Sequence, residues 1–267
     1  MVQGNLRRYA DAATRAALAA GVLLARHVGR PRRVQTKRSA IDLVTEIDRA
    51  AERLIRRLLR RASPGFGFLG EEYGAQRAEA PTRWIVDPLD GTSNFVHGLP
   101  LFGVSIALEH RGMIVVGVIY DPMRRELFVA TKGQGAFLNR HPIRVSPTRR
   151  LSHSLLSTGF SFPSLTHAQP YLRWFQTLQQ RSHGVRRIGT TVLSLAAVAA
   201  GRLDGFYERD LQPWDLAAGI LLVEEAGGRI TNLEGQPVVL GEGRLVVSNG
   251  HIHRELLQVL AQPKRRK

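Results

Sequence analysis

The spacing of hydrophobic positions changes twice along the chain, and the changes mark its organisation. Apolar residues recur every three or four positions over residues 5–27. They do so again over 42–62, where Leu43, Ile47, Ala50, Ala51, Leu54 and Leu58 form one stripe. That spacing puts them on one face of a helix, so both segments are predicted helices. Gly29-Arg30-Pro31-Arg32-Arg33 breaks the first. From about residue 83 the period shortens. Trp84-Ile85-Val86 is an apolar run that stops at Asp87-Pro88, which reads as a buried strand followed by a turn. Residues 102–108, 113–120 and 126–130 are β-rich and separated by Arg111-Gly112 and Asp121-Pro122, so an antiparallel meander is expected.

A second unit begins near residue 150. Its pattern predicts a strand over 154–157, helices over 168–181 and 191–201, and a strand over 204–208. A helix over 214–226 stops at Gly227-Gly228; strands near 229–231 and 244–247 precede a last helix from 251. Meanders mixed with helices point to a layered α+β fold and not to a doubly wound parallel sheet. The expectation is one structural unit of two subdomains, residues 1–148 and 149–267, sharing an interface.

Composition narrows the chemistry. The 267 residues contain no cysteine, which excludes disulfides, thiolate ligands and thiol catalysis. The formal net charge is +16, and it is unevenly spread. Residues 1–66 hold 15 basic and 5 acidic side chains, and the tail Lys264-Arg265-Arg266-Lys267 adds four more cations. A basic surface attracts nucleic acids and small phosphates alike, so charge alone does not choose between them. The apolar run over 16–25, bracketed by Arg15 and Arg26, is half the roughly 20 residues a bilayer requires. It reads as one stripe of an amphipathic helix in a soluble cytoplasmic protein; a signal peptide is the weaker alternative.

Three acidic clusters each end an apolar run: Gly70-Glu71-Glu72, Asp87-Pro88-Leu89-Asp90-Gly91-Thr92, and Pro213-Trp214-Asp215. A carboxylate just after a buried strand is costly unless neutralised, and several together call for cations. Carboxylates, a backbone carbonyl and water are oxygen ligands that suit Mg²⁺, not zinc or copper. The Gly91-Thr92-Ser93 segment looks like a helix start, whose free N–H groups favour a phosphate. Taken singly, Asp-Pro-x-Asp-Gly is a common turn, adjacent glutamates are usually solvated, and Asp215 answers a helix dipole. Their joint occurrence is what singles them out. His251-x-His253 reads as a solvated helix start, and Trp84 and Trp214 as packing residues.

The stretch WIVDPLDGTSNFVHGLP over 84–100 resembles the first signature of the inositol monophosphatase family, and WDLAAGILLVEEAGG over 214–228 its second. KRSAIDLVTEID over 37–48 and Gly70-Glu71-Glu72 are similar to two further family blocks, in the expected order. The resemblance implies an α-β-α-β-α sandwich, a homodimer, lithium sensitivity and Mg²⁺-dependent hydrolysis of phosphate monoesters. It assigns Glu71, Asp87 and the Leu89 carbonyl to one metal, and Asp87, Asp90 and Asp215 to a second. Glu71 also reaches a possible third. Asp48 and Thr92 would orient the attacking water, Gly91 and Thr92 would hold the phosphate, and Glu208 the polyol. Lys37 and Asp42 would support them. Related phosphatases act on fructose-1,6-bisphosphate, histidinol phosphate or nucleotide 3′-phosphates. Residues 93–98, Ser-Asn-Phe-Val-His-Gly, favour inositol-1-phosphate or a similar polyol phosphate, whereas Arg209 beside Glu208 keeps a bisphosphate open. Arg30-Pro31-Arg32-Arg33, the arginine pairs at 56–57 and 60–61 and the basic tail motivate an RNA- or transcription-associated role; the competing reading is solvated helix faces.

Overall fold

The structure is a computed structural model and describes residues 3–30, 34–36, 43–160 and 168–261. Helix α1 (Leu6–His27) leads to β1 (Val34–Thr36), β2 (Leu43–Thr45) and α2 (Glu46–Ala62). Then come β3 (Gly67–Gly70), β4 (Gly74–Gln76), β5 (Thr82–Asp90), the short α3 (Thr92–Val96), β6 (Gly103–His110), β7 (Met113–Asp121), β8 (Glu126–Thr131), β9 (Ala136–Leu138) and β10 (His141–Pro142). The second half runs β11 (Leu155–Thr158), α4 (Ala168–Arg181), β12 (Gly184–Arg186), α5 (Thr191–Ala199), β13 (Gly205–Glu208), α6 (Pro213–Glu225), β14 (Arg229–Thr231), β15 (Leu245–Ser248) and α7 (His253–Leu260).

Eight strands form one sheet in the order β10-β9-β8-β7-β6-β5-β3-β4, antiparallel throughout except for the β3–β5 pair. Five more form a second sheet, β12-β11-β13-β15-β14. Side-chain alternation along each strand then dictates the layers. Trp84 and Val86 point to one face of the large sheet, where α1 and α2 cover them with Ala13, Ala16, Ala17, Ile55 and Leu59. Ile85, between them, points to the other face and meets Leu195 of α5 and Leu216 and Leu221 of α6. Phe206 and Val247 of the second sheet close that middle layer from beyond. Their neighbours Tyr207 and Val246 face outward onto Leu178 of α4 and Leu256 of α7. The result is the expected α-β-α-β-α sandwich.

One helix boundary and the burial of one histidine differ from the sequence reading. The second helix starts at Glu46, because residues 43–45 pair with β1 and the Thr45 side chain caps α2, accepting the Ile47 N–H at 3.1 Å. His253 is buried, not solvated: its ring nitrogens lie 2.9 Å from the Thr231 and Ser248 hydroxyls. Burial then pushes its pKa down to about 4, with the Arg229 charge adding to the shift. No helix among the described residues is long and apolar enough to cross a membrane.

Candidate active site

Strand β5 carries two of the acids on a deliberate irregularity. Its pairing with β6 holds register from Thr82–His110 to Asp87–Ser105, then slips so that Asp90 faces Gly103. Pro88 sits in the slip, where its missing N–H breaks no ladder bond. The Leu89 N–H donates to Asp87 Oδ1 at 3.0 Å, closing the turn. Gly91 follows with φ +92°, and a Cβ there would stand 2.9 Å from the Leu101 carbonyl. Only glycine meets both demands cheaply.

Three helix starts converge on this turn. Asp48 is the third residue of α2; the Thr45 N–H and hydroxyl both donate to its Oδ2, at 2.9 and 2.5 Å. Its Oδ1 is thereby left for Thr92 Oγ1, 3.1 Å away; the same hydroxyl lies 3.2 Å from the Leu89 carbonyl. Asp215 is the third residue of α6, and the Gln212 N–H donates to its Oδ2 at 2.7 Å. At the start of α5, the Thr190 hydroxyl and the Val192 N–H hold Asp90 Oδ2 at 2.6 and 2.8 Å. The positive ends of the helix dipoles offset part of the negative charge.

The offset is incomplete. Burial pushes the Asp87 carboxyl well above the ordinary range, and Glu71, Asp90 and Asp215 push it further. Asp215 is raised in the same way, by burial first and then by Asp90 and Glu71. Asp90 rises by burial, while its hydrogen bonds pull it back. Glu208, at the end of β13, is pushed up to about 8 by burial, against the Thr191 hydroxyl 3.1 Å from its Oε2. These groups line one cavity of about 230 Å³ together with Leu89, Gly91, Thr92 and Asp210. Arg187 is the one cation among the described residues lining it.

The donor set fits a divalent cation: four clustered carboxylates, oxygen only, each disfavouring its neighbours' charge. Among the described residues, no three acidic or imidazole side chains already form a closed ligand cage. Glu71, Asp87, Asp90 and Asp215 line the cavity wall and are the side chains that would hold such a cation.

The chain matches the sequence profile of the inositol monophosphatase family over residues 5–265. An inositol-1-monophosphatase of Synechocystis sp. is 44% identical over 96% of this chain and 90% of its own. A Pseudomonas aeruginosa protein named Nus factor SuhB is 42% identical over 93% of this chain and 94% of its own. The structure of an inositol monophosphatase from Anabaena (Nostoc) sp. superposes with a TM-score of 0.89 at 41% identity, covering 97% of this chain and 98% of that one. This chain belongs to the inositol monophosphatase family. It is a phosphate monoester hydrolase, and Mg²⁺ dependence is general to the family.

Of the residues singled out from sequence, Glu71, Asp87, Leu89, Asp90, Gly91, Thr92, Glu208 and Asp215 line the cavity, and Asp48 reaches it through Thr92. Lys37 and Asp42 lie outside the described residues. Arg209 is not among the lining residues; the cation that lines the cavity, and whose charge acts on Glu208, is Arg187. Sequence reading also missed Thr190 and Val192 on Asp90, 100 and 102 residues away in the chain. It missed Gly159 as well, where a Cβ would stand 2.1 Å from Glu208 Oε1. Short signals of this kind reveal themselves only once the fold has brought them together.

Proposed function

We propose that this family member hydrolyses the phosphate ester of a polyol, inositol-1-phosphate or a similar compound. In this reading Mg²⁺ is held by Glu71, Asp87, Asp90, Asp215 and the Leu89 carbonyl. The observation that carries it is the buried carboxylate cluster beside the Thr92–Asp48 hydrogen bond, all on one cavity. Mg²⁺ bound there supplies Lewis acidity, acidifying water and neutralising charge on the phosphoryl oxygens. The chain's own groups do the positioning. Asp48 Oδ1 accepts the hydrogen bond donated by the Thr92 hydroxyl, so the Thr92 oxygen presents its lone pairs to a water and aims it at phosphorus. The Gly91 and Thr92 amides hold the phosphate. Glu208, whose carboxylate fills the space Gly159 leaves by having no side chain, accepts from vicinal hydroxyls of the alcohol. Lithium inhibition, a homodimer and a cytoplasmic location accompany this reading.

The decisive experiment is phosphate release with Mg²⁺ from inositol-1-phosphate, fructose-1,6-bisphosphate, histidinol phosphate and a nucleotide 3′-phosphate. The highest kcat/KM is expected on inositol-1-phosphate. Preference for the bisphosphate would replace the polyol reading and make Arg187 its second-phosphate contact.

One observation favours a role beside catalysis. Arg53, Arg56, Arg57, Arg60 and Arg61 fall on one side of α2, opposite Ile55 and Leu59, and line a shared groove with Ala50 and Leu54. An all-arginine stripe suits a phosphate backbone, and similar proteins carry the name Nus factor. RNA affinity dependent on this stripe should fall steeply from 50 to 200 mM salt and weaken in Arg57→Ala/Arg60→Ala. Absence of binding at 50 mM salt would leave the arginines as a solvated face.

A further inference from the structure

Glu71 is presented by the three-residue turn that joins β3 to β4, where Gly70 pairs with Gly74. The clamp comes from α2. Glu52 is fully buried, with 0% of its surface exposed. Its Oε2 accepts the Glu72 N–H at 2.7 Å and its Oε1 the Tyr73 N–H at 3.2 Å. The preceding amide, that of Glu71, donates to the Val86 carbonyl of β5 at 3.3 Å. Three successive amides are therefore tied down, one to the strand that carries Asp87 and two to a single carboxylate. On the outer side Arg49 Nε stands 3.8 Å from Glu72 Oε2.

A wholly buried carboxylate is expensive, and two charge-assisted bonds to backbone amides are the compensation. The neighbouring sequence is adapted to it. A Cβ on Gly70 would stand 2.2 Å from Glu52 Oε1, so the carboxylate reaches the turn only because residue 70 is glycine. Glu52 also lies four residues after Asp48, on the same buried face of α2. One helical turn thus carries the acid that holds Thr92 and the acid that holds the Glu71 turn.

We propose that Glu52 is a positioning residue for the metal site: it fixes Glu71 against Asp87 and sets that pair's distance from Asp48. The proposal rests on the metal-site reading above. A glutamine has the same size but one acceptor oxygen where two are used, so Glu52→Gln must surrender one amide. Gly70→Ala leaves the carboxylate chemically intact and displaces it by contact.

The test is calorimetric titration of the apoprotein with Mg²⁺, without substrate, for wild type, Glu52→Gln and Gly70→Ala, beside thermal unfolding and steady-state kinetics. Both variants should bind Mg²⁺ about 10–100-fold more weakly, the range seen when a group supporting a ligand is removed. At saturating Mg²⁺ their KM for inositol-1-phosphate should stay at the wild-type value, because the polyol contacts lie on β13. A lowered melting temperature with unchanged Mg²⁺ affinity would make Glu52 purely structural and overturn the proposal. Should Glu52→Gln not fold, Gly70→Ala decides between the same two outcomes. Failure of the wild type itself to bind Mg²⁺ would instead overturn the metal-site reading.

Discussion

Thr92 shows how much one hydroxyl can be asked to do. It sits 3.1 Å from Asp48 Oδ1 and 3.2 Å from the Leu89 carbonyl, and its single proton must choose between them. The carboxylate is the stronger acceptor, so the proton goes to Asp48 and the lone pairs face the cavity. Thr92→Ala should therefore lower kcat by about 10²–10⁴-fold, the range contributed by positioned proton acceptors. Mg²⁺ affinity should hardly change, since the carboxylates on the cavity wall are untouched. Steady-state kinetics beside Mg²⁺ titration separates the two, and a joint collapse would assign Thr92 a structural part. At this scale the sequence was most legible where function is compressed into contiguous residues. Asp87, Asp90, Gly91 and Thr92 stand within six positions, and their order alone resembles a known signature. Arg187 was not legible, because exposed arginines are everywhere in this chain and only the cavity wall distinguishes this one. Glu52 left a trace that went unread: an acid on the face shared by Ile47, Ala51, Ile55 and Leu59 is out of place.

At the scale of elements, long periodic segments were legible and short ones were not. Residues 168–181 form a helix with the expected bounds, and β6, β7 and β8 pair as the predicted meander. Strand β3 escaped notice because Gly67 and Gly70 bound a run of two apolar residues, too short to show a period. It is nevertheless the strand that delivers Glu71. The start of α2 misled for a physical reason: Leu43 and Ile47, four apart, satisfy a helical stripe whether or not residue 43 is helical. What decides the matter is Thr45, whose side chain accepts from Ile47 while its N–H and hydroxyl grip Asp48. The cap that starts the helix is the same structure that orients the acid. His253 failed in the opposite direction. Its place beside exposed His251 suggested solvent, yet the turn before α7 rotates it onto Thr231 and Ser248.

At the scale of the whole molecule, the site is a meeting of layers. Asp87 and Asp90 belong to β5, Asp215 to α6 in the middle layer, and Glu208 to the second sheet. Their mutual distances depend on how closely α6 lies against the large sheet. Gly117 of β7 permits that approach: a Cβ there would stand 2.7 Å from the Ala218 carbonyl, which is α6 backbone and cannot step aside. Gly117→Val should push α6 outward, at a cost of about 1–3 kcal/mol for overpacking. Because Ala218 is three residues from Asp215, the same displacement should pull that carboxylate away from Asp87 and Asp90. The expected result is a lower denaturation midpoint together with weaker Mg²⁺ binding, read by denaturant unfolding and calorimetry on the folded variant. Added Mg²⁺ should also stabilise Gly117→Val less than wild type, since ligand stabilisation follows affinity for the native state. If stability falls while Mg²⁺ affinity stays at the wild-type value, α6 shifts without carrying Asp215, and the distance between layers does not set the site.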